Sequence, residues 1–146
     1  MIAEPTDREK EIIQSSRIAR MATADDSGTP AVIPVCFAYD RLCLYTPIDK
    51  KPKTPRIAEL GRIKNISVNP NVSVVIDRYF EDWKRLFYII IKGRASILES
   101  GEEYENSLRA LCGKYYQYRK MRLDQAGLPV IKIVPARILS WGNIND

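Results

Sequence analysis

Leu86 to Leu98, LFYIIIKGRASIL, is the longest strand the sequence writes, and it carries a glycine inside it. Tyr88, Ile90, Lys92 and Arg94 alternate with Phe87, Ile89, Ile91 and the small pair Gly93 and Ala95. A period of two gives a strand with two distinct faces. A glycine within it marks a bend or the close approach of another backbone, as at a barrel corner. A sheet built on this strand therefore has to curl. Two further strand-like runs carry prolines, Pro34 within Pro30 to Tyr39 and Pro135 within Val130 to Trp141. Proline donates nothing to a ladder, so Pro34 predicts an edge or a bulge and Pro135 an interruption or bulge.

The remaining elements fall between clear signals. Thr6-Asp7-Arg8-Glu9 is a capping box opening a helix from Asp7 to about Ser16, with Ile12 and Ile13 on its inner face. Ile18 to Ala24 reads as strand, closed by a turn at Asp25 to Gly28. Asp40-Arg41 is a tight turn into a strand beginning at Leu42. A helix follows Pro55, Asn69-Pro70-Asn71 breaks it, and Val72 to Asp77 is another strand. Ser100 to Glu103 has the form of a second capping box. The helix after it places Tyr104, Leu108, Leu111, Tyr115 and Tyr118 on one stripe, which reads as core packing. Tight turns join the first three strands, so they pair antiparallel. At least six strands with a bend-prone glycine and an in-strand proline point to a mainly β fold, a small closed or split barrel. The 146 residues suit one domain spanning 1–146.

Composition removes several kinds of chemistry. The chain has no histidine, which excludes Ser-His and Cys-His nucleophiles, a histidine acid or base, and zinc sites of the usual type. Its three cysteines, an odd number, do not make a disulfide framework or show metal-ligand spacing. No catalytic residue can be named; an enzyme of this composition would draw its chemistry from a bound cofactor. The net charge of +5 attracts anions. No apolar run reaches the length of a membrane span, and the first residues, MIAEPTDREKEI, lack the apolar core of a signal peptide. The expectation is a cytoplasmic protein with no membrane partner.

The stretch Leu42 to Lys53, LCLYTPIDKKPK, carries the strongest binding signal. It starts as a strand, then breaks at Pro47 into a loop bearing Lys50, Lys51 and Lys53, followed at once by a helix. A hydroxyl at a strand end, a cationic loop and a helix N-terminus together can seat a phosphate. The same residues also suit a solvated basic turn.

The order of these pieces resembles the flavin-binding split β-barrel family of pyridoxamine-phosphate-oxidase-like proteins. The resemblance runs from about residue 15 to residue 142. It passes through Arg20-Met-Ala-Thr23, Asp26 to Gly28, Pro30, Ile33-Pro34-Val35, Leu44-Tyr-Thr46 and the basic loop ending at Lys53. It continues through Asn69-Pro70-Asn71-Val72-Ser73, Glu81-Asp82-Trp83, Gly93-Arg94-Ala95, Lys114-Tyr115 and Pro129-Val130. The branch it resembles most uses the deazaflavin coenzyme F-420. The resemblance implies a six-stranded antiparallel Greek-key split barrel with flanking helices, assembled as a homodimer with cofactor grooves between subunits. It implies an oxidoreductase that binds coenzyme F-420, or failing that FMN, and transfers hydride to or from a small molecule. Val32, Ile33, Pro34 and Val35 would lie against the ring, and Tyr45, Thr46, Lys50, Lys51 and Lys53 would hold the phosphate. Trp83, Tyr88 and Trp141 are further cofactor contacts that the partner subunit could contribute. The chain departs from pyridoxamine-phosphate oxidases proper, which end in an arginine-rich substrate motif; here the last residues are Trp141-Gly-Asn-Ile-Asn-Asp. It also has Lys51-Pro52 where FMN-binding members have a Ser-Arg-Lys form.

Two other classes compete. One is a non-catalytic module that carries or senses a cofactor or haem, although without histidine haem would need Cys, Tyr or Met as its axial ligand. The other is a single-stranded nucleic-acid binder that stacks bases on the aromatics of Arg78 to Arg85. That mixed aromatic and basic loop equally suits a subunit contact, which is the reading preferred here.

Overall fold

The computed structural model describes residues 1–48 and 61–145. Within them, helix α1 (Asp7–Ser15) leads into strands β1 (Ala19–Ala24), β2 (Pro30–Val35), β3 (Ala38–Asp40) and β4 (Cys43–Pro47). Helix α2 (Gly61–Val68) precedes β5 (Asn71–Arg78) and β6 (Phe87–Leu98). Helices α3 (Glu102–Lys114) and α4 (Tyr116–Lys120) precede β7 (Val130–Gly142). All strands join one antiparallel sheet in the order β2-β1-β5-β6-β7-β4-β3.

The sheet has seven strands, not six. The run expected as one strand from Pro30 to Tyr39 splits after Val35, and its two halves stand at opposite ends of the sheet order. One extended segment thus supplies both edges, which is possible only if the sheet curls back on itself into a half-barrel. Side chains of α3 fill the split. Lys114 donates to the Phe37 carbonyl at 2.9 Å, and the Tyr115 hydroxyl accepts from the Phe37 N–H at 3.0 Å. Those backbone groups lose the ladder but keep partners.

The bend comes where the sequence puts it. Lys92 faces Arg137 and Gly93 faces Pro135, so Ala136 is the extra residue of a bulge. A Cβ on Gly93 would lie 2.5 Å from the Val134 carbonyl oxygen, so only glycine lets the two backbones approach this closely. Pro34 sits in an edge strand, where its missing N–H breaks no ladder.

Alternation along the strands divides the apolar residues between two cores. Phe37, Tyr39, Leu44, Ile131 and Ile133 face inward with Met21, Val74, Ile89 and Ile91, joined by Ile12 and Ile13 of α1 and Ile63 and Ile66 of α2. Cys43, Tyr45 and Val130 face outward, where the predicted stripe of Tyr104, Leu108, Leu111, Tyr115 and Tyr118 covers them.

Two local expectations are corrected. The box at Thr6 forms with both hydrogen bonds, but the one expected at Ser100 does not. Gly101 is the N-cap of α3, with φ of 100° and no side-chain cap. Glu103 reaches across to the sheet instead. The turn expected at Asp40-Arg41 falls one residue later, with Arg41 and Leu42 both left-handed at φ 49° and 71°.

Candidate functional site

Among the described residues, strand β2 has a ladder on one side only, with β1. Alternate backbone N–H and C=O groups on its other side are therefore left for something else to pair with. That open side borders a groove of about 280 Å³. Ile33, Pro34 and Val35 form one wall, continued by Cys36 at the split in the strand. Thr46 and Pro47, at the end of β4, stand opposite. Arg62 of α2 and Tyr118 of α4 complete the lining together with Ile18. Helix α2 is held over β1 by Asn65, whose side-chain amide donates to the Thr23 hydroxyl at 2.9 Å, and by Ile63 and Ile66 in the core. Those anchors place Arg62, the one cation among the groove's described residues.

The structure brings Ile33, Pro34, Val35 and Thr46 of the expected set into one groove. Val32, on the same strand, is 65% exposed and does not line the groove. Lys50, Lys51 and Lys53 lie outside the described residues. Tyr45 turns to the opposite face of β4 from Thr46, as strand alternation requires. Its hydroxyl donates to Glu103 Oε2 at 2.7 Å, and Lys132 pairs with the same oxygen at 2.7 Å. Burial, then the Glu103 bond, pushes the Tyr45 hydroxyl well above the usual phenol range. The Lys132 and Tyr45 hydrogen bonds hold the Glu103 carboxyl below its ordinary value. Tyr45 thus fastens β4 to α3 and fixes the strand whose next residue, Thr46, faces the groove.

Trp83, Tyr88 and Trp141 lie outside this groove. Tyr88 and Trp141 stack with ring centroids 5.5 Å apart on the outer face of β6 and β7. With Val75, Tyr79 and Ile90 they line a shallow apolar groove of about 370 Å³. Trp83 and Trp141 remain 71% and 53% exposed.

Sequence reasoning did not find Arg62 or Tyr118 as groove residues. Both come from helices, and nothing in their local pattern shows which groove a helix overhangs. Lys114, part of the family resemblance but given no role by it, has a defined place in the structure. It lies over the Phe37 ring, 4.0 Å from its centroid, beside the strand split. Burial first, then the Arg17 charge, lowers its pKa from 10.5 to about 8.

A family model described as pyridoxamine 5'-phosphate oxidase matches residues 5–142, a span that includes every residue of the groove. The chain belongs to the pyridoxamine 5'-phosphate oxidase family. No curated protein matches it. Solved structures of similar fold include a conserved hypothetical protein from Mycobacterium tuberculosis, 18% identical with a TM-score of 0.78, over 97% of this chain and 86% of that one. HutZ, the heme storage protein of Vibrio cholerae, is 21% identical with a TM-score of 0.70, over 95% of this chain and 94% of that one. A FAD-binding protein from Mesorhizobium loti is 20% identical with a TM-score of 0.63, over 96% of each chain. At such identities these neighbours establish the barrel shared across the pyridoxamine 5'-phosphate oxidase family, not a ligand. No helix among the described residues is long and apolar enough to cross a membrane, and none of their His, Cys, Asp and Glu side chains cluster as a metal site would.

Proposed function

We propose that this chain binds a flavin-type cofactor, coenzyme F-420 before FMN, in the groove along β2, and that it is an oxidoreductase moving hydride to or from a small molecule. The open backbone edge of β2 carries this reading. A flat ring with polar atoms along its rim suits a strand whose outward N–H and C=O groups lack ladder partners, beside the apolar side chains of Ile33 and Val35. Thr46 and Arg62 would hold the anionic part of the group, with Lys50, Lys51 and Lys53 following in the chain. When bound, the cofactor supplies the two-electron chemistry; the protein supplies position and charge.

The groove of one chain is small for such a ligand, since pockets for drug-sized molecules run from roughly 300 to 1,000 Å³. The exposed set of Tyr79, Trp83, Tyr88 and Trp141 is more apolar surface than a lone chain leaves in water. A second copy would bury this face, and the partner's aromatic side chains would close the groove. The FAD-binding neighbour and family membership support a cofactor of this kind. Haem, bound by the Vibrio cholerae neighbour, fits less well, because the chain has no histidine and Cys36 is the groove's only thiol among the described residues.

The test is the visible spectrum of freshly purified protein, followed by titration with each cofactor. One cofactor per subunit should bind saturably. Lys53→Ala should weaken binding by about 10- to 100-fold, the loss of one charge-assisted hydrogen bond, and the effect should shrink as salt rises. Lys10→Ala, on α1, should change nothing. Binding of Lys53→Ala within twofold of the parent at low salt removes the phosphate-loop assignment. A monomer by sedimentation at micromolar concentration removes the shared groove.

A further inference from the structure

A roomier groove lies apart from the one beside β2. It lies between the end of α1 and the β5–β6 connection, with a volume of about 590 Å³. Arg8, Arg17, Arg78 and Arg85 line it against one acid, Asp77, and Arg8 is itself ion-paired with Glu11 at 2.8 Å, so cations remain in excess. Asp77 is already paired, with Arg20 at 3.0 Å.

The four arginines are not equivalent. Arg8 and Arg17 are tied to backbone carbonyls, Ile144 at 2.6 Å and Lys114 at 2.9 Å. Arg78 and Arg85 stack on the Phe80 ring, their guanidinium carbons 5.0 and 4.0 Å from its centroid. Such stacking uses the face of a guanidinium and leaves its in-plane N–H fork free. Neither has a carboxylate partner among the described residues. Two forks are thus held in place by one ring, in a cleft with excess positive charge. This arrangement recognises oxyanions bidentately.

We propose that this groove binds a small polyanion with clustered phosphoryl or carboxylate oxygens, gripped by Arg78 and Arg85. Ile18 lines both this groove and the one along β2, so the two sites share a wall. If the cofactor reading holds, the polyanion is the anionic end of the substrate, and the redox partner is a phosphorylated or polycarboxylic small molecule.

The test uses the full chain without cofactor, titrated calorimetrically at low salt with pyrophosphate and with citrate, which separates phosphoryl from carboxylate recognition. At least one should bind saturably. Arg85→Gln and Arg78→Gln should each weaken it by roughly tenfold or more, as loss of a charge-assisted bidentate contact requires. Arg94→Gln, on an exposed position of β6, should bind as the parent does. Arg85→Lys keeps the charge without the fork and should fall between. Both side chains are exposed, so unchanged melting temperatures will show that the variants fold. Binding of both Gln variants within twofold of the parent, or no saturable binding of either anion, overturns the proposal. Cofactor titration of Arg85→Gln reads the other groove separately: failure there touches the flavin assignment and leaves the anion site standing.

Discussion

Neutralising Lys114 should change how stability depends on pH more than it changes stability itself. A pKa held at about 8 rather than 10.5 means that the folded protein binds this proton less tightly than the unfolded chain does. The sign follows. Above pH 10.5 the amine is neutral in both states and folding carries no charge penalty. As pH falls from there to about 8, the unfolded chain takes up the proton first, and stability is lost. At neutral pH a dry site would impose about 3 kcal/mol, since each tenfold change in proton affinity is worth about 1.4 kcal/mol. Lys114 is only half-buried, and solvent screening brings that to about 1.5 kcal/mol. Lys114→Met removes the penalty but also the hydrogen bond to the Phe37 carbonyl, worth about 1 kcal/mol net because Tyr115 stays within reach of the same oxygen. Parent and variant should therefore lie within about 1 kcal/mol at pH 7. By pH 10, still below the unfolded pKa of 10.5, the parent should have gained about 1 kcal/mol on the variant. The raised hydroxyls of Tyr39, Tyr45, Tyr104 and Tyr115, and the raised thiols of Cys43 and Cys112, act in the opposite direction at high pH. They do so in both proteins, so the difference isolates Lys114. Urea unfolding of both at pH 7, 8, 9 and 10 measures it. A difference flat to within about 0.3 kcal/mol across that range would refute the half-buried ammonium at the strand split.

Gly93→Ala drives a methyl into the Val134 carbonyl at 2.5 Å, where both partners are backbone. Overpacking of this kind should destabilise by about 3 kcal/mol and lower the melting temperature by roughly 6–12 °C; a drop under about 2 °C in a thermal melt would mean that the bulge relaxes freely. Replacing Cys36, Cys43 and Cys112 together with Ala or Ser should leave cofactor reduction intact if the fold survives, since the chain has no histidine to activate them. Stopped turnover with unchanged cofactor affinity would show otherwise.

Much of the barrel was legible because its signals are local. Thr6 and Glu9 sit three apart, Gly93 and Pro135 announce a corner, and Pro34 cannot enter a central strand. The split after Val35 left no such mark. Cys36 and Phe37 are ordinary strand residues, and the chain leaves the ladder there because Lys114 and Tyr115 offer other partners. Glu103 fits a capping box by spacing, yet it serves Tyr45 and Lys132, a tertiary demand outweighing a local one. The groove was half legible. Ile33 to Val35 came from the family resemblance and Thr46 from its place at a strand end, whereas Arg62 and Tyr118 depend on how helices lie over the sheet. The arginine groove was least visible, since Arg8, Arg17, Arg78 and Arg85 come from distant parts of the chain.

The single segment that supplies both edges also sets when the groove can exist. Strand β4, which carries Thr46, pairs only with β3 and β7 among the described residues, and β7 is the last strand made. The β3–β4 hairpin can form early, but it cannot be placed opposite β2 until β7 has docked against both β6 and β4. Such long-range pairing is slow relative to helix and hairpin formation. A chain still emerging from the ribosome would therefore have both walls of the β2 groove and no means of holding them together. On the proposed cofactor reading, ligand added during synthesis should not speed folding; it can only lock the barrel after β7 has docked.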